Sequence, residues 1–219
     1  MYAYQQQVNL QQSNAASIAA PSITPNAAGD QFVICVVSGF NNQITLSDNL
    51  GTSNIYVPIG IAYFTSASNT VFNMFLVRSC QPGAQIITGT GNASNVSRIL
   101  VAEYSGLAGT YSFMSYADQN GAPTGVNGIN TGPSPVPQQP AMVWGLVLNF
   151  AGANAVTAGT SPLAFTNFQT IWTGGFSAFE DARVTSGASY AATFGDTDGN
   201  QYCSACVIFP EAATCAWLT

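Results

Sequence analysis

Short apolar runs recur along this chain, separated by turn signals, and none extends into a helical stripe. In "QFVICVVSGF", Phe32, Ile34 and Val36 alternate with Val33, Cys35 and Val37, and both faces are apolar. That pattern fits a strand buried on both sides. "VFNMFLVRS" repeats it, with Phe72, Met74 and Leu76 opposing Val71, Phe75 and Val77 around Asn73. "VSRILVAEYSGL", "AMVWGLVLNF" and "QYCSACVIFPEA" are further runs of the same kind. Between them lie clusters such as "SDNLG" and "QPG", which are turn chemistry. The expectation is an all-β, antiparallel β-sandwich of jelly-roll type with about nine or ten strands. A parallel β-helix is the weaker alternative, because the spacing of the runs is irregular.

No internal repeat is visible. Residues 1–28 are rich in Gln, Asn, Ser and Ala and read as an N-terminal arm or first edge strand. Residues 29–219 read as a single β-sandwich domain. Ala117 to Pro140, rich in Gly, Pro, Asn and Ser, reads as one long surface connection.

Charge narrows the chemistry. Three arginines are the only cationic side chains, histidine and lysine are absent, and the formal net charge is −6. Without histidine there is no Ser-His-Asp or Cys-His site, and the commonest metal ligand is missing. Three cations cannot neutralise a track of phosphates, so nucleic acid is not an expected partner, and no run is long and apolar enough to suggest membrane insertion. "GDTDGN" (Gly195 to Asn200) resembles part of a calcium loop, but position 12 is Val207 rather than a bidentate glutamate. A hairpin between "YAATF" and "QYCSACVIF" accounts for the same residues. The expectation is no metal and no cofactor.

The five cysteines are Cys35, Cys80, Cys203, Cys206 and Cys215. In "CSAC", Cys203 and Cys206 fall on opposite faces of a strand-like run, so they read as small buried hydrophobes rather than as a redox or zinc motif. An odd count leaves at least one thiol unpaired within the chain, and Cys215 is the candidate for an intermolecular disulfide.

Several segments together resemble a known group. "AGD" entering a strand of hydrophobes, "ILVAEYSGL", "FEDARVTSGASYAATF" and "YCSACVIFPEA" are similar to pieces of a β-sandwich (jelly-roll/Ig-like) domain family found in bacterial surface proteins and tailed-phage structural proteins. The similarity spans roughly residues 27–212. It implies a fold and a structural or adhesive role, and it brings no catalytic residue with it. The low charge and the Gln-rich start depart from the family pattern.

The candidate residues follow. Glu103 lies in an apolar run and needs a partner when buried; Arg183 is the expected one, in a structural ion pair, with backbone amides of a neighbouring loop as the other option. Pairing Glu103 with Glu180 or Asp181 would instead suggest the two carboxylates of glycoside hydrolysis, the weakest of the readings. Tyr111, Tyr116, Asp118, Gln119 and Asn120 are candidate glycan or partner contacts, since aromatic faces beside amides suit sugar rings; core packing and turn duty are the plainer account.

The opening "MYAYQQQVNLQQSNAAS" has neither a basic n-region nor an apolar h-region, so no signal peptide is expected. A cytosolic start with an extracellular type of composition fits a virion protein, made in a bacterial cytoplasm and released. The expected function is therefore a non-enzymatic structural protein of a tailed bacteriophage: capsid decoration, or a tail or fibre component. Its partners would be other virion proteins or copies of itself in a homo-oligomer such as a trimer, with host-surface glycans as a further option. The alternative is a carbohydrate-binding or adhesin module of a bacterial surface.

Overall fold

The computed structural model describes the chain except residues 41, 52–53, 65–68, 120–124, 135, 150–155, 162, 173–176, 186, 197–200 and 214–219. Among the described residues there is no helix, and sixteen strands run in antiparallel sheets. The fold class is the expected one; the strand count is higher than the nine or ten expected.

The first eight strands are β1 (Ala3–Ala15), β2 (Ser17–Ala19), β3 (Gln31–Gly39), β4 (Ile44–Asp48), β5 (Tyr56–Phe64), β6 (Thr70–Val77), β7 (Ile87–Gly91) and β8 (Val96–Ser105). They form a five-stranded sheet in the order β1-β8-β3-β6-β5 and a three-stranded sheet in the order β2-β7-β4. The next eight are β9 (Phe113–Gln119), β10 (Gly125–Asn130), β11 (Ala141–Asn149), β12 (Thr157–Ala158), β13 (Asn167–Ile171), β14 (Ser177–Val184), β15 (Thr193–Asp196) and β16 (Tyr202–Pro210). Their large sheet is ordered β13-β14-β11-β16-β9 and their small sheet β10-β15-β12.

Adding eight to each strand number of the first half reproduces the second half, read from the opposite edge. The chain is thus a tandem of two units with one topology. In each, the first, eighth, third and sixth strands are neighbours, and the second, seventh and fourth form the facing sheet; this is the jelly-roll strand order. The repeat lies in topology alone, which is why the sequence showed none.

Four layers result. Odd residues of β3 (Val33, Cys35, Val37) and even residues of β11 (Met142, Trp144, Leu146, Leu148) meet in a central core between the two large sheets. Even residues of β3 (Phe32, Ile34, Val36) pack under the first small sheet through Ile18 and Ile87. Val143 and Val147 of β11 pack under the second through Ile129 and Phe194. The apolar character of both faces in these strands thus has a direct cause: each large sheet is covered twice. The second cover comes close because Gly145 sits mid-β11, where a Cβ would lie 2.4 Å from that of Ala192.

The large sheets stack with reversed strand order, so β1 lies over β13 and β5 over β9. Asn9 accepts from the Trp172 amide at 3.1 Å at one edge, and Phe64 meets Tyr116 edge-on at 5.7 Å at the other.

Of the two options for the Gln-rich start, arm or first edge strand, residues 3–15 take the second, paired with β8 over most of the strand. Two other local expectations differ from the structure. Residues 117–140 contain the end of β9 and all of β10, whose Ile129 is fully buried; glycine and asparagine hid a strand with a single apolar anchor. Finally, β15 and β16 belong to different sheets, so these two strands are not the paired arms of a hairpin.

Candidate functional site

Glu103 occupies the penultimate turn of the pleat in β8, on the face shared with Ile99 and Val101, and is fully buried. Its Oε2 accepts from Nε2 of Gln6, its cross-strand neighbour in β1, at 2.5 Å. Its Oε1 accepts from the backbone N–H of Asn26 at 2.7 Å. Gln6 Nε2 also donates to the Thr24 carbonyl at 2.6 Å, so one carboxyl ties β8, β1 and the segment after β2 together. Burial pushes Glu103 above the usual carboxylate range; the Gln6 and Asn26 donors pull it back, and the adjacent Asp30 carboxyl pushes it up again.

The expected Glu103–Arg183 pair does not form. Arg183 lies on the odd face of β14, toward the central core, whereas Glu103 points away from that core under the first small sheet. Arg183 instead makes a bidentate contact with Glu211, Nε to Oε1 at 2.5 Å and Nη2 to Oε2 at 3.0 Å. Glu211, just past β16, is brought there by strand register: β11 pairs Met142 with Arg183 on one side and Ala141 with Pro210 on the other. The guanidinium holds Glu211 below the usual carboxylate range, with the Met1 ammonium adding to it at 3.8 Å. Sequence reasoning passed over Glu211 because only the register of three strands reveals it.

Asp181, on the same face as Arg183, accepts from the Tyr2 hydroxyl at 3.0 Å, the Tyr104 hydroxyl at 2.8 Å and Asn167 Nδ2 at 2.6 Å. Burial raises its pKa, and these three donors partly offset that. Tyr2 and Tyr104 come from the first unit and Asp181 from the second, so this cluster closes one end of the central core. Glu180, the next residue, points to the opposite layer, under the second small sheet. Burial pushes it up to about 8, against donors from the Gly159 and Thr193 backbone, and its Oε1 has no partner. Glu103, Asp181 and Glu180 thus occupy three different layers. No shared cleft brings Glu103 to either of the others, so the glycosidase-like pairing is not assembled.

The predicted aromatic contacts cluster at the β5/β9 edge. Tyr111 is exposed, and its hydroxyl donates to the Pro58 carbonyl at 3.1 Å. Tyr116 packs edge-on to Phe64 and yet remains 46% exposed. Asp118 and Gln119 lie in the backbone of β9 opposite Cys203 and Tyr202. Asn120 and Cys215 lie outside the described residues. Ile61 and Tyr63 of β5 are exposed at 43% and 46%, and Tyr63 meets Phe40 at 5.6 Å between ring centroids. Their exposure has a geometric cause: a three-stranded cover ending at β4 cannot reach the edge of a five-stranded sheet. A cleft of about 230 Å³ opens between β4 and β5 over Ile44, Pro58 and Ile61, and one of about 420 Å³ beside it is lined by Asn42, Gln43, Ile61, Tyr63 and Asn92. Pro58 and a register shift beside it blunt the free edge of β5.

Cys203 faces the central core and Cys206 the opposite layer; like Cys35 and Cys80 both are buried, and none of the four is joined in a disulfide. Among the described residues, no group of three or more acidic or cysteine side chains could hold a metal ion. No protein family, curated protein or solved structure matches this chain.

Proposed function

We propose that this protein is a non-enzymatic structural component of a tailed-bacteriophage virion, a decoration protein of the capsid or a part of the tail or fibre. It assembles with copies of itself or with other virion proteins. The observation that carries this reading is the uncovered β5/β9 edge. Of the eight large apolar or aromatic side chains left exposed among the described residues, four, Ile61, Tyr63, Tyr111 and Tyr116, gather at this edge, whereas Met1, Ile55, Ile86 and Val136 lie elsewhere. Exposed aromatics grouped on a rigid scaffold suit a protein contact. A surface nearly free of charge suits dense packing of like subunits, which would otherwise repel one another. The tandem jelly roll is compatible with this role by analogy of fold, which by itself assigns no function. Many copies would add avidity to a modest contact.

A second reading, a carbohydrate-binding or adhesin module, draws on the same tyrosines and on the neighbouring amides of Asn42, Gln43 and Asn92. The readings separate on one substitution. Tyr116→Ala abolishes glycan binding by a monomer in the second, whereas in the first it weakens association between subunits.

The test of the first reading is immunogold electron microscopy of particles released from the source. Label on capsids or on tails supports it and identifies the position. Particles that carry no label, with the protein recovered only from the soluble fraction, overturn it.

A further inference from the structure

Arg98 stands apart from the other charged groups described above. It lies on β8 at the end of the central core opposite Asp181, with its guanidinium 5.7 Å from the centre of the Trp172 ring. Its Nε is buried and has no hydrogen-bond partner, and among the described residues no carboxylate lies within ion-pair distance. Leaving a donor of a partly buried cation unmet is costly. Burial accordingly lowers the Arg98 pKa, in a protein whose net charge should favour its cations.

Two further observations meet here. A cleft of about 440 Å³ opens in front of Arg98, walled by the ends of β1, β3, β6 and β8. Its lining is almost wholly uncharged and polar: Gln12, Ser13, Asn14, Asn69, Asn95 and Ser97 contribute amides and hydroxyls, and Val37 is its one apolar side chain. Among the described residues, the only non-glycine residues in the left-handed region are Asn69 (φ 55°) and Trp172 (φ 59°). One lines the cleft and the other packs on its arginine. For tryptophan this backbone is a true outlier, and such strain persists only where the surroundings hold it. Trp172 is held by its indole N–H, which donates to the Ile99 carbonyl at 3.2 Å, and by its amide on Asn9.

We infer that the Arg98 cleft is a binding site for a carboxylate-bearing saccharide, a sugar acid whose carboxylate meets the guanidinium and whose hydroxyls meet the surrounding amides and hydroxyls. One fork-shaped cation matches one carboxylate. A phosphate dianion would bring a second negative charge with no cation to meet it, into a protein already at −6. An acidic peptide would need an apolar wall for its side chains, and the cleft has almost none. A bound anion would also offset the desolvation that Arg98 bears. The inference does not depend on the virion reading: the cleft shares no lining residue with the β5 clefts, and the test uses the isolated protein.

The test is a two-dimensional ¹H–¹⁵N NMR titration. With three arginines in the chain, the side-chain Nε–H region is simple to assign. The probes are N-acetylneuraminic acid and a glucuronic-acid disaccharide, with a neutral disaccharide, inorganic phosphate and an acidic dipeptide as comparisons. The expected result is a saturable shift of the Arg98 Nε–H and of the Gly39, Asn69 and Ser97 amides with the sugar acids alone, while the Arg78 and Arg183 Nε–H signals stay in place. Arg98→Gln weakens binding by roughly tenfold or more. The wild-type Nε–H signal remains a direct readout if that variant does not fold. No shift with either sugar acid overturns the inference. So does an equal shift with phosphate or the dipeptide, which would mark a general anion site. Shifts confined to Tyr63 and Tyr116 would place sugar binding at the β5/β9 edge instead, and would also overturn it.

Discussion

Glu103→Ala removes the carboxyl that joins β8, β1 and the segment after β2. It removes the acceptor of two donors, Gln6 Nε2, which keeps the Thr24 carbonyl, and the Asn26 N–H, which lie 2.5 and 2.7 Å from the carboxylate oxygens. A hydrogen bond to a charged group contributes about 1.5–3 kcal/mol, so the two together are of order 3–6 kcal/mol. Part of that returns, because the substitution also removes a buried carboxyl held beside Asp30. The net loss should be about 3 kcal/mol, which lowers Tm by about 6–12 °C in a domain of this size. Glu103→Gln keeps one acceptor oxygen for Asn26 and sheds the charge, so its loss should be nearer 1 kcal/mol. Calorimetric melts at neutral pH rank the three proteins, and amide exchange at Asn26 reports the local contact. The reasoning fails if Glu103→Ala melts within about 1 °C of wild type, or if Asn26 keeps its protection in that variant.

Other consequences can be checked with the same melts. Glu180 titrates near 8 in the folded protein, above its unfolded value. The folded state therefore keeps the proton longer, and this contribution is complete below the unfolded pKa of about 4.3 and is lost as pH rises through about 8. Wild-type Tm should fall across that window, and Glu180→Gln should flatten the fall; an unchanged slope would contradict the burial argument. Tyr104→Phe takes one donor from the buried Asp181 and should cost about 1–3 kcal/mol, more than Tyr2→Phe, whose side chain is partly exposed. Gly159→Ala would set a Cβ 1.9 Å from the Thr193 carbonyl oxygen. It should therefore speed amide exchange in β12 and β15 while strands β3 and β8 stay protected.

The parts of the fold legible in the sequence are the parts buried on both sides. β3, β6, β8, β11 and β16 carry apolar residues at nearly every position because each lies between two cores, and that density marks them without ambiguity. Strands β4, β10 and β12 sit in the thin outer sheets with one face in solvent, so a single apolar anchor such as Ile129 cannot outweigh the surrounding Gly, Asn and Thr. The tandem arrangement was illegible for a related reason: two units can share strand order while sharing only a pattern of burial. At the sites, strand parity correctly separated Cys203 from Cys206 and put Glu103 on a face with Ile99 and Val101. It could not choose among partners distant in sequence. Glu103 found the loop amide of Asn26, one of the two options open to it, and Gln6, which no local signal marks. Arg183 went to Glu211 because β11 lies between their strands. No local signal marks Arg98, because the cleft before it arises from four strand ends that meet only in the folded chain.

The central claim, that this is a virion protein, is tested most directly by quantitative mass spectrometry of gradient-purified particles, measured against cleared supernatant from the same culture. The account predicts the protein in the particle fraction at a fixed ratio to the other virion proteins, with many copies for a decoration protein and few for a tail or fibre component. Particles free of it, with the protein recovered only from the supernatant, would contradict the claim.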